Sequence, residues 1–235
     1  MRLAVAKTAT AAAALLLALA ACSEDAGGNN DGTGDGGEDP VFAAMKTWDA
    51  CEVLDNLQPI TEFMGIEGYG SLTSAGGAPA TREYDTTWSP DAIGCGNLIY
   101  LGSYEGLGMD GEIKVSIIPA EDEDQASTAY ADRAGAAESN AAGGQDTTSS
   151  EIGDPWDEGV MHSWIEGADN PHVEIIARDG QWVFQIVLYH SADYGLGATG
   201  EPALQFTDDE LNQWFIDTYL PEVNQAVNDK IAEVQ

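Results

Sequence analysis

The sequence predicts an α+β domain, a mainly antiparallel β-sheet packed by helices, as a single domain over residues 41–235. Three observations predict it. Apolar residues alternate with period two in the middle and second half of the chain, an Asp-Gly turn joins two such segments directly, and helical apolar stripes open and close the domain.

Each element follows in chain order. From Thr47 to Leu57, residues Trp48, Cys51, Leu54 and Leu57 fall on one helical stripe; Pro59 interrupts it and Gly65 closes a second short turn. Residues 66–87 are rich in Gly, Ser, Thr and Ala and read as a loop, with a weak strand near Arg82–Thr86. Two strands follow, Cys95–Leu101 and Glu112–Pro119; in the second, Ile113, Val115 and Ile117 alternate with Lys114 and Ser116, the pattern of a half-buried antiparallel strand. The four acids Glu121–Asp124 invite a metal-site reading, but they precede Gln-Ala-Ser-Thr-Ala-Tyr and suit the first turn of a helix, where carboxylates interact favourably with the helix dipole. That helix fades near Ala137, and residues 141–150 read as a flexible loop.

The strongest strand signals are Glu158–Glu166, Val173–Arg178 and Gln181–His190, the last two joined through Asp179-Gly180 as a hairpin. Along the final strand Trp182, Phe184, Ile186 and Leu188 share one face, while Val183, Gln185, Val187 and Tyr189 share the other. Both faces are largely apolar, which predicts a central strand covered on both sides. Thr207-Asp-Asp-Glu210 is a capping box opening a helix with Leu211, Trp214, Phe215 and Thr218 on neighbouring turns. Pro221 kinks or restarts it, and Val223, Val227, Ile231 and Val234 extend the stripe.

The amino terminus carries an address. Arg2 and Lys7 precede the apolar run Ala11–Ala21, too short to cross roughly 30 Å of hydrocarbon comfortably, so residues 1–21 read as a cleaved export signal. The run ends in Leu19-Ala20-Ala21-Cys22, which resembles the bacterial lipobox; the resemblance implies acylation of Cys22 and attachment to the extracytoplasmic face of the cell membrane. Two or three acyl chains hold a protein stably, since each buried CH₂ contributes about 0.8 kcal/mol. Residues 22–40 supply Gly, Asn, Asp and Glu without a large apolar side chain, the composition of a disordered tether with a reach of roughly 20–25 Å. Its Asp/Gly run lacks the ordering of calcium-binding loops.

Removing the first 21 residues leaves six basic residues against forty-one acidic ones, a net charge near −35. Such a charge repels nucleic acid and anionic head groups and excludes nucleic-acid binding. An acidic surface selected for a saline habitat and a generally acidic exported proteome both account for it. With Cys22 acylated, Cys51 and Cys95 remain as a pair in an oxidising compartment, and we expect a disulfide between them. A free catalytic thiol is the competing reading; it would need a partner among His162, His172 and His190, none of which sits in a cysteine-protease signature.

The lipobox, the Gly/Asp tether, "WDACEVLDNLQPITEFMG" and the second cysteine in "SPDAIGCGNLIY" together resemble the actinobacterial lipoproteins of the uncharacterised family DUF3558, over residues 46–135. In that family the motif approximates Asp-Pro-Cys and a later Cys-x-aromatic. This chain has Asp49-Ala50-Cys51 and Cys95-Gly96-Asn97, so the second motif departs from the pattern. The resemblance implies an envelope lipoprotein and assigns no activity.

Hydrolase and phosphate-binding signatures are missing from the sequence: there is no Gly-x-Ser-x-Gly, Ser-x-x-Lys, His-Glu-x-x-His or phosphate loop. The "HSAD" at 190–193 contains triad residue types, but three residues so close in sequence fit a strand-end turn better. Neither a cofactor nor a metal site is expected. Most tryptophans read as core, while Trp156, His162 and Trp164 around "DEGVMHSW" are the candidate pocket residues. The sequence therefore points to a non-enzymatic sensor, binding or interaction module of the cell envelope, partnered by the membrane through its lipid and by an envelope protein. The alternative is a carrier that holds a hydrophobic or lipid ligand between sheet and helices.

The charge itself is testable. Raising salt from low to high concentration is expected to raise the melting temperature by screening self-repulsion; an unchanged melting temperature would contradict this reading.

Overall fold

The computed structural model describes residues 37–83, 90–167 and 169–235. The signal peptide, Cys22, most of the tether and the 84–86 part of the expected weak strand lie outside the described residues. The described chain is an α+β domain built on one antiparallel eight-stranded sheet, as its patterning predicts.

The strands are β1 (Gly68–Tyr69), β2 (Ala80–Glu83), β3 (Ile93–Tyr104), β4 (Leu107–Pro119), β5 (Gln145–Glu151), β6 (Glu158–Glu166), β7 (Asn170–Asp179) and β8 (Trp182–His190). Their order across the sheet is β1-β3-β4-β8-β7-β6-β5, with β2 pairing beside β1 along the same edge of β3. The helices are α1 (Pro40–Met45), α2 (Ala50–Val53), α3 (Gln58–Met64), α4 (Glu123–Ala141), α5 (Tyr194–Thr199), α6 (Asp208–Trp214) and α7 (Leu220–Ala232).

The doubly apolar strand occupies the position its sequence demands. β8 lies between β4 and β7, with Ile113, Val115 and Ile117 of β4 opposite Leu188, Ile186 and Phe184, and Val173, Ile175 and Ala177 of β7 opposite the same three from the other side. On this face the sheet packs against α1 to α3 and the carboxy-terminal helices, through Met45, Leu57, Ile60, Met64, Leu211, Phe215, Tyr219, Leu220 and Val227. On the opposite face Ile118, Ile176 and Val183 meet Ala126 and Ala137 of α4. Small residues on α4 let it lie close to the sheet. A closed polar cluster sits beneath it: Arg133 donates to Gln185 (2.7 Å), Gln185 donates to the buried Glu174 (2.9 Å), and Asn140 donates to the other Glu174 oxygen (3.1 Å).

Both termini of the domain are pinned to one turn. Asp39, which caps α1 by accepting from the N–H groups of Val41 and Phe42, also accepts from the Gln181 side chain. Asn224 and Asn228 on α7 donate to Asp179. Asp39 and Pro40, at the end of the acidic segment, are thus part of the first helix and its cap.

Several local expectations shift. Pro59 opens α3 instead of interrupting a helix, and the break falls earlier, where Asp55, Asn56 and Leu57 all take positive φ. β3 and β4 run longer than their alternation implies and meet at Glu105-Gly106, both at positive φ. The loop expected over residues 141–150 is confined to 142–144: α4 continues to Ala141 and β5 forms an edge strand from Gln145. A strand of Thr and Ser without apolar alternation carries no periodic signal, because neither of its faces is buried. Asp179 pairs with Trp182, so the β7–β8 turn is Gly180-Gln181, one residue later than expected, with Gly180 supplying the positive φ at its first position.

The capping box forms as read, with the Glu210 N–H donating to the Thr207 hydroxyl and the Thr207 N–H donating to the Glu210 carboxylate. Beyond α6, Phe215–Tyr219 makes a π turn, and Pro221 lies in the first turn of α7, where a missing N–H is tolerated. The π turn changes the phase of the buried stripe: Leu211, Phe215 and Tyr219 point inward and Thr218 is exposed.

Cys51 on α2 and Cys95 on β3 form a disulfide with Cα atoms 4.8 Å apart and a sequence separation of 44. It joins the helical layer to the sheet. Replacing both cysteines by alanine is expected to lower the unfolding free energy by about 3–4 kcal/mol in urea titration, from the loop-closure entropy restored to the unfolded chain; a loss below about 1 kcal/mol would show that the bridge is not a main constraint.

Candidate functional site

Two clefts meet where the ends of β6, β7 and β8 face the start of α6. The first, of about 360 Å³, has His190 at the end of β8, with Pro171, Leu204, Phe206 and Asp208 around it. The second, of about 260 Å³, is bounded by Asp146, Ser163, Trp164, His172 and Asn212. They share Ile165, Pro171, Asp208 and Asp209, so together they form one groove.

Local structure explains how each group arrives there. Alternation on β8 that turns Trp182 to Leu188 into the main core carries His190 inward at the last position, where it is almost fully buried. Its Nδ1 lies 2.9 Å from the Ser191 carbonyl, and the Phe206 ring stands edge-on to it at 5.3 Å. The capping box starts α6 at Asp208, so Asp208 and Asp209 lie in its first turn at the groove rim. A register break in the β5–β6 pairing, between Gln145 and Thr148, coincides with positive φ at Asp146 and brings this edge-strand acid to the groove.

Trp164 anchors an aromatic row across three strands. It stacks on His172 at 5.1 Å, and His172 stacks on Tyr189 at 5.4 Å, because the register sets Trp164 opposite His172 and His172 opposite Tyr189. Gly144 makes room for this indole: a Cβ there would come within 2.2 Å of the Trp164 ring, so only glycine fits beside it.

Of the three residues singled out in the sequence, the structure brings Trp164 alone to the groove. Trp156 is buried in the main core against Trp182 (5.0 Å) and Phe184 (5.9 Å). His162 is buried on β6 opposite Glu174, away from both clefts. The groove residues missed by sequence reasoning are His190, Asp208, Asp209 and Asn212. In sequence the first reads as a strand end and the two acids as a helix start; both descriptions hold locally, and only the tertiary fold shows that they face each other.

The electrostatics are one-sided. Asp146, Asp169, Asp193, Asp208 and Asp209 line the groove, and no lysine or arginine does so among the described residues. Asp193 is already engaged: burial raises its pKa, but N–H groups of Ala203, Leu204, Leu196 and Gly195 donate to its carboxylate and hold it below the ordinary aspartate value. The remaining acids are exposed at the rim.

The "HSAD" segment does not assemble a nucleophile and base. His190 faces the Ser191 carbonyl, the Ser191 hydroxyl accepts from the Asp110 N–H (3.0 Å), and Asp193 caps α5. Asn212 donates weakly to Ser163 (3.4 Å), while its carbonyl oxygen is buried without a hydrogen bond.

Burial pushes the His172 imidazole below its ordinary value of 6.5, with Glu166 opposing the shift and His190 adding to it. The native ring therefore favours the neutral form, and its contribution to stability is present above 6.5 and is lost as pH falls through the lower native value. An NMR titration of the imidazole is expected to give a midpoint below 6.5; a midpoint at or above that value would contradict the buried stacking described here. No family model, curated protein or solved structure matches this chain.

Proposed function

We propose that the chain is a non-enzymatic binding module of the cell envelope, tethered through an acylated Cys22 at the extracytoplasmic face and recognising its ligand in the groove between the β6–β8 ends and α6. The observation that carries this reading is the groove itself: an acidic, aromatic-walled depression holding a buried polar side chain, on a domain whose sheet is packed on both faces. The lipobox-like Leu19-Ala20-Ala21-Cys22 and the resemblance of residues 46–135 to DUF3558 lipoproteins support the address.

The alternative, a carrier of a hydrophobic or lipid ligand, asks for an apolar cavity between sheet and helices. Trp182, Phe184 and Ile186 fill that space with α-helical partners, and five clefts among the described residues each carry at least two carboxylates. Carboxylates at these openings oppose the entry of an acyl chain, because desolvating them costs free energy that apolar contacts must offset.

Mass spectrometry of the chain expressed in an actinobacterial host tests the proposal. The expected result is a mature protein beginning at Cys22 with covalent acyl groups, release of a Cys22→Ser variant from the membrane fraction, and no lipid retained non-covalently under native conditions. An unmodified Cys22 would overturn the tether, and a lipid that leaves only on denaturation would favour the carrier.

A further inference from the structure

The floor of the larger cleft has an unusual chemical demand. His190 is about 1 % exposed, and its Nε2 is buried without a hydrogen bond. The Ser191 carbonyl near Nδ1 can only accept, so in the neutral ring Nδ1 carries the hydrogen and Nε2 presents a lone pair. The Asp208 oxygen Oδ1 stands 3.4 Å from Nε2. With the ring neutral, Nε2 and the Asp208 carboxylate are two acceptors side by side, one of them buried and unpartnered, and they call for a donor. A buried polar atom left unsatisfied destabilises the empty cleft, so a ligand that satisfies it gains affinity directly.

The rest of the cleft narrows the donor's identity. Asp169 and Asp209 add negative charge at the rim, and no basic side chain among the described residues is present to receive an anion. Asp193 is saturated by backbone N–H groups and does not compete. The walls are apolar: Pro171, Leu196, Leu204 and the edge-on Phe206. A strongly hydrated inorganic cation has no use for such walls, and no group of three or more metal-ligating side chains occurs among the described residues. A neutral sugar satisfies the acceptors but makes no use of the surrounding charge.

We propose that this cleft binds an alkylammonium group, its methylenes against the apolar walls and its –NH₃⁺ bridging His190 Nε2 and Asp208. An ammonium has three donors and no acceptor, and one nitrogen at about 2.8 Å from each acceptor spans their separation. The inference rests on the groove being the binding site and names the class of its ligand. Two sources present this chemistry, a free diamine and the side chain of a lysine in a peptide.

The test uses the full chain labelled with ¹⁵N-histidine and titrated, at constant ionic strength, with 1,5-diaminopentane, with an N-acetyl-lysine peptide amide, with tetramethylammonium chloride and with maltose. Saturable movement of the His190 ring-nitrogen signals is expected with an alkylammonium probe. The Asp208→Asn variant is expected to bind about tenfold more weakly. Asp229→Asn, an exposed site on α7, is expected to bind as the parent does. Binding of the diamine alone assigns a free amine, and binding of both amines admits a lysine side chain.

An equal response to tetramethylammonium, which has no N–H, would overturn the proposal in favour of a general counterion atmosphere. An unchanged affinity in Asp208→Asn would also overturn it. A His190 response to maltose alone would refute the alkylammonium while leaving the groove a binding site. Silence of the His190 signals to every probe refutes the ligand class, and the binding-module reading is then judged by its own acylation and lipid-retention results.

Discussion

The architecture depends on one strand whose two faces are both largely apolar. β8 presents Trp182, Phe184, Ile186 and Leu188 to one side and Val183 and Val187 to the other, so neither side is left to water without cost. Placing it between β4 and β7 satisfies its backbone, and covering it requires a layer on each face. The two covers differ in kind. Among the described residues a thick helical layer, bulky at Met45, Phe215 and Tyr219, packs on the face bearing Trp182, while the Ala-rich α4 covers the other. The Cys51–Cys95 bridge, and the bonds that tie Asp39 and α7 to the β7–β8 turn, hold the thick layer in register with the sheet.

The groove is a product of where this packing ends. Apolar alternation on β8 runs one position past the last aliphatic residue, so the inward side chain at its end is a histidine. There α6 begins, and the first turn of a helix favours acids, which is why Asp208 and Asp209 gather at the mouth. Local rules for starting a helix and ending a strand thus place a buried imidazole beside carboxylates. In a chain with a net charge of −33 the long-range field already draws cations; the groove adds apolar walls and directed acceptors, which a uniform field lacks.

Much of the fold was legible because burial imposes periodicity. β4, β6, β7 and β8 are half-buried or doubly buried and show it, and the capping box at Thr207–Glu210 is a contiguous pattern with a mechanism. β5 was illegible for the complementary reason: all but one of its residues are exposed, so solvent places no apolar constraint on them. The break at Asp55–Leu57 depends on three successive positive-φ residues, none of them glycine, and tertiary contacts around the buried Leu57 override the local preference. The site was half hidden. Trp164 stood out as an aromatic on a strand, whereas His190 and Asp208, eighteen positions apart, each had a sufficient local explanation. Trp156 looked similar to Trp164 in sequence and lies in the core, because the turn preceding β6 folds it back onto Trp182.

The central claim is that binding occurs where β8 ends and α6 begins. Amide hydrogen exchange of the full chain, with and without a detergent-solubilised envelope fraction, tests it most directly. The account predicts slowed exchange confined to the segments around 163–173 and 204–212. Slowing on the β5 edge or on α7 alone, with the groove segments unchanged, would contradict it.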